Sequence, residues 1–76
     1  MTKTDTQREQ INSLLKQYGA TLDRWQRYNI GQYVFDTRGE RNIKIHKGQV
    51  KVYSETFIKT EPAKIERMLK RITGRV

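Results

Sequence analysis

Lys64, Arg67 and Arg71 are spaced so that, at about 100° per residue, they fall on one side of a helix and outside its apolar seam. Cations aligned in this way can follow the phosphates of a nucleic-acid backbone. The same bases near a helix C-terminus also offset the macrodipole and supply the polar face that an amphipathic helix needs. Lys44 and Lys51 form a second set, at outward positions of adjacent strands, with His46, Gln49 and Tyr53 on the same face. Bases and an aromatic on a curved sheet suit a major groove or the stacking of single strands. A sheet with one face in water also carries polar residues there for no further reason. The third set is Arg24, Trp25, Arg27 and Tyr28, with Arg38 and Arg41 in the first hairpin turn. Interleaved bases and aromatics recur where nucleobases stack and phosphates are held. For the single Trp25, closure of a small core is the favoured reading, because such a core needs large aromatic area. Arg24, Arg27, Arg38 and Arg41 then remain as phosphate contacts.

These sets reflect an uneven charge. The 76 residues carry a formal net charge of +8, and residues 24–75 hold 13 of the 16 Lys and Arg against 5 of the 8 Asp and Glu. A field of that sign calls for an anionic partner, either nucleic acid or an acidic protein surface. Catalysis has little to work with. There is one His and no Cys, no Ser sits in a nucleophile-like motif, and the acids are scattered singly among bases. His46, on the outer face of a strand beside Lys44, has no evident partner for proton transfer. Gly31, Gly39 and Gly48 form neither a phosphate loop nor a dinucleotide fingerprint. No catalytic residue, metal or cofactor is expected, and the chain is not expected to be an enzyme.

The elements that must position the bases can be read from periodicity. Ile11, Leu14, Leu15 and Tyr18 fall at i, i+3, i+4 and i+7, which predicts a helix ended by Gly19 and capped at Thr6, with Asp5 or Thr4 as alternatives. Ile65, Met68, Leu69 and Ile72 repeat the pattern after Pro62, with Thr60 as the expected cap and Gly74 as the stop. Between them the period falls to two. Tyr33 and Phe35, Ile43 and Ile45, Val50 and Val52 are expected to face the helices, with turns at Gly39 and Lys47-Gly48. The stretch 20–31 fits neither period: it reads as a loop packing Leu22 or Trp25 on the core, or as an extension of the first strand bulged at Gly31. The expected fold is therefore α+β, one small domain over residues 1–76 in the order α-β-β-β-α. Its three-stranded antiparallel meander has both helices on one face, and residues 1–4 and 74–76 are expected to fray.

In length and topology, helix–three strands–helix with a basic second helix resembles the double-stranded RNA-binding domain. Lys59-Thr60-Glu61-Pro62-Ala63-Lys64 departs from that family's Lys-Lys-x-Ala-Lys helix start. Gly31-Gln32-Tyr33-Val34-Phe35-Asp36 with Gly39 is similar in part to the three-strand-plus-helix arm-binding domain of phage integrases. Neither resemblance assigns the chain to a family.

With no Cys, stability has to come from a small apolar core. No apolar run approaches the roughly 20 residues of a membrane span, and Met-Thr-Lys-Thr-Asp-Thr-Gln has no apolar signal core, so a cytoplasmic protein without membrane contact is expected. The expected function is that of a small basic accessory or regulatory protein binding DNA or RNA mainly through phosphates, at Lys64, Arg67, Arg71, Lys44, Lys51, Tyr53, Arg38, Arg41, Arg24 and Arg27. The alternative is a small adaptor or inhibitor docking on an acidic protein, with Trp25, Tyr28 or Tyr53 as its anchor.

Overall fold

Thr2 starts the first helix, earlier than the capping residues expected from the sequence. Its Oγ1 accepts the Asp5 N–H at 3.1 Å, so α1 spans Lys3–Gln17 and begins within the stretch 1–4. A computed structural model describes residues 2–74; residues 1, 75 and 76, parts of the two ends expected to fray, lie outside the described residues. Gly19 ends α1 at φ 89°. The Gly19 N–H donates to Lys16 and the Ala20 N–H to Leu15, a pair of bonds that satisfies the last carbonyls of the helix.

The sheet has five strands where three were expected: β1 Thr21–Leu22, β2 Tyr28–Ile30, β3 Tyr33–Asp36, β4 Asn42–Lys47 and β5 Val50–Thr56, antiparallel throughout and in sequence order. Two strands thus precede the expected meander, and the α-β-β-β-α order that resembled the double-stranded RNA-binding domain does not hold. Gly31 is no bulge. With Gln32 it turns β2 into β3 at φ 58°, and Gly48 with Gln49 turns β4 into β5 at φ 62°. The two Gly-Gln turns lie side by side, joined by the Gly48 N–H to the Gln32 carbonyl at 2.9 Å.

Tyr28, Phe35 and Ile45 lie opposite one another across β2, β3 and β4 and, with Ile43, bury one face of the sheet against Ile11, Leu15 and Tyr18 of α1. Ile65 and Leu69 of α2, Pro62–Thr73, complete the core with Phe57, so both helices cover the same face. Each fully buried large side chain contributes about 1.5–3 kcal/mol. Glu61, in extended conformation, is the residue before α2; the expected cap Thr60 is completely buried and its hydroxyl is used elsewhere. Gly74 closes α2 at φ 74°. Among the described residues no helix is long and apolar enough to cross a membrane.

A bulge changes β5. Lys47 pairs with Val50 and His46 with Lys51, but Ile45 pairs with Tyr53, which leaves Val52 as the extra residue. Tyr53 thereby turns to the helix side. Its hydroxyl lies 2.9 Å from Thr60 Oγ1. The one hydrogen of Thr60 goes to the Thr56 carbonyl at 2.8 Å, so Tyr53 is the donor. Val50 and Val52, expected in the core, stay 65% and 48% exposed.

Candidate nucleic-acid interface

On α2 the exposed bases Lys64, Arg67 and Arg71 run along one side of the helix. Lys64 Nζ lies 4.9 Å from the centre of the Tyr53 ring, and Arg71 rims a groove of about 200 Å3 lined by Tyr33, Val52, Met68 and Ile72. The stripe thus borders β5, whose outer side has no further strand among the described residues. Tyr53 belongs to this flank. Its expected place on the outer sheet face, with Lys44 and Lys51, is overturned by the bulge at Val52.

The outer face itself is open. Lys44 stands between Asp36 of β3 and Ser54 of β5, and Lys51 lies opposite His46. Both lysines are exposed, and Val34 and Asn29 continue the row of His46.

At one end of the sheet two aspartates organise the arginine-bearing loops. Asp23 Oδ1 accepts the backbone N–H groups of Trp25 and Arg27 at 2.9 and 3.0 Å, while Oδ2 accepts Arg27 Nε and Asn29 Nδ2 at 3.0 and 3.1 Å. Partial loss of solvent opposes ionisation of this carboxyl, but the bonds from Arg27, Asn29 and Trp25 together outweigh it and hold the pKa down to about 2. Asp36 repeats the device: Oδ1 accepts the Arg38 N–H, and both oxygens take the Arg38 guanidinium at 3.0 Å. Those hydrogen bonds lower the Asp36 pKa and raise that of Arg38. Arg38 also donates to the Trp25 carbonyl at 3.1 Å, which ties the two loops together.

Trp25 does not close the core. It is 50% exposed at the tip of the β1–β2 turn, with the Arg24 and Arg27 guanidinium carbons 4.3 and 4.9 Å from its ring centre. Tyr18, Tyr28, Phe35 and Phe57 fill the interior in its place. The sequence signal for the turn is an Asp two residues before Trp25, since an Asp side chain can mimic a backbone turn by accepting that N–H. Arg41, exposed, lines a cleft of about 420 Å3 with Asp36, Gly39, Glu40, Asn42 and Lys44.

One important base carried no expectation of this kind. Arg8 of α1 donates to the carbonyls of Thr37, Gly39 and Glu40, pairs with Asp5 at 2.9 Å, and lies 4.7 Å from the Phe57 ring centre. It fastens the β3–β4 loop to the first helix. Among the described residues the ion pairs are Arg8–Asp5, Arg27–Asp23 and Arg38–Asp36. The ten residues expected at a binding surface, in three sets, therefore fall into two regions, with Lys51 outside both. One is the α2–β5 flank with Lys64, Arg67, Arg71 and Tyr53. The other is the loop end with Arg24, Arg27, Arg38 and Arg41, continued by Lys44; Lys51 stands on the outer face of β5. No family model matches the chain, and neither a curated protein nor a solved structure matches it.

Proposed function

We propose that this protein is a small, basic, non-enzymatic accessory or regulatory protein that binds nucleic acid, mainly through phosphate contacts. The observation that supports this reading is how the charges are partnered. Internal ion pairs engage Arg8, Arg27 and Arg38, whereas Lys64, Arg67, Arg71, Lys44 and Lys51 are exposed and belong to none of those pairs. Cations left solvated on one helix and one sheet face are available to neutralise phosphates, and the release of the counterions condensed on the nucleic acid then drives binding.

Reversing Lys64, Arg67 and Arg71 to Glu tests the reading. Affinity for DNA or RNA should fall by orders of magnitude, and the slope of log affinity against log salt should lose about 3 units, roughly one per lost phosphate contact. An unchanged slope would remove α2 from the interface.

The groove beside Arg71, with Val50 and Val52 exposed along β5, favours a second reading: an adaptor or inhibitor docked on an acidic protein. A partner retained by the protein after nuclease digestion supports that reading over the first.

A further inference from the structure

Trp25 is the only tryptophan of the chain, yet it stands half exposed outside the core. Its position is built. Asp23 bonds to the backbone and side chains around it, and Arg38, itself held by both oxygens of Asp36, bonds to its carbonyl. The neighbouring Gln26 takes φ 65°, a conformation that L side chains with a Cβ seldom adopt and that persists where surrounding bonds impose it. An aromatic presented in this way, on a fixed turn and without use in packing, fits a ligand with a flat face.

We propose that Trp25 is a stacking platform for an unpaired nucleobase, which makes single-stranded nucleic acid the ligand of the loop end. The inference rests on the nucleic-acid reading above and narrows it. Arg27 is committed to Asp23, whereas Arg24 belongs to none of the ion pairs among the described residues and covers the indole with no such tie. An exposed cation–π contact is worth about 2- to 5-fold in an equilibrium, whereas a base stacked on an aromatic is worth about 5- to 150-fold in affinity. A base therefore displaces Arg24 from the ring, and the freed guanidinium meets the adjoining phosphate. Further along, Asp36 is shared between the Arg38 buttress and the cleft that contains Arg41 and Lys44, which places two more cations beside the path of the strand. Duplex bases keep their faces within the stack, whereas an unpaired base has a face free to lie on the indole.

The sole tryptophan reports on its own site. The full chain is titrated with a single-stranded oligothymidylate of about 12 nucleotides and with a duplex of equal length, at about 50 mM salt. Saturable quenching of Trp25 emission is expected with the single strand and little with the duplex. Trp25→Ala should lower single-strand affinity about 5- to 150-fold, Trp25→Phe should retain most of it, and duplex affinity should be the same in all three proteins. Single-strand binding that leaves Trp25 emission and the Trp25→Ala affinity unchanged would overturn the platform and leave the phosphate-binding reading standing. Equal quenching by the duplex would overturn the preference for unpaired bases. Binding of neither nucleic acid would overturn both readings.

Discussion

The Trp25 N–H donates to the Asp23 carboxylate at 2.9 Å, and through that bond an aspartate two residues upstream holds the chain's largest aromatic away from its core. Asp36 and Arg38 repeat the relationship at 3.0 Å in the next loop. Because Arg38 then bonds to Trp25, the two turns brace each other, and the loop end of the sheet holds Arg27 and Arg38 in place.

Asp23 should therefore control the turn through its charge. Its folded pKa of about 2 lies below the ordinary value of about 3.9, so the fold favours the carboxylate. The resulting stabilisation is fully present above about pH 4 and is lost as pH falls toward 2. Trp25 emission should stay constant from about pH 7 to about pH 4 and change below that. A transition centred near pH 4 would show that Asp23 is not so held. Asp23→Ala should bring the acid-state emission to neutral pH.

Arg8 should matter to stability more than a surface arginine does. Hydrogen bonds to a charged group contribute about 1.5–3 kcal/mol, and Arg8 serves three loop carbonyls from a side chain that is 24% exposed. With an allowance for solvent, Arg8→Ala should cost about 2 kcal/mol, or roughly 10 °C in Tm for a domain of this size. Thermal unfolding measures it; a loss below about 0.5 kcal/mol, the range of an ordinary surface change, would contradict the anchoring role.

Tyr53 separates packing from binding. Tyr53→Phe removes the donor to buried Thr60 and should cost about 1 kcal/mol in chemical denaturation. Its effect on nucleic-acid affinity should be small, since the hydroxyl is turned toward Thr60. A variant of unchanged stability and weakened binding would return Tyr53 to the outer face.

That residue also shows where sequence reading stops. Both helices were legible because apolar residues at 3.6-residue spacing leave few alternatives, and Gly19 and Gly74 end them as expected. β3 and β4 followed from strict alternation. Val50-Lys51-Val52-Tyr53 alternates just as cleanly, and no local preference marks Val52 as the inserted residue; the bulge follows from pairing Tyr53 with Ile45 and bonding it to Thr60. The stretch 20–31 could be read as a loop or an extension of the first strand but not as β1 and β2, because two and three residues are too few to display a period. The repeated Gly-Gln, at 31–32 and 48–49, was the available signal for the second hairpin turn. The basic stripe Lys64, Arg67 and Arg71 was legible in full, while the position of Trp25 depended on how much aromatic area other residues had already supplied.

Binding to nucleic acid across a salt series bears most directly on the proposed function. Titration of labelled single strands and duplexes from about 50 to 200 mM salt should give affinities that fall steeply, with log affinity linear in log salt, as expected when several phosphates are neutralised by Lys64, Arg67, Arg71, Lys44 and Lys51. No detectable binding of either form at about 50 mM, where non-specific phosphate contacts are strong, would contradict it.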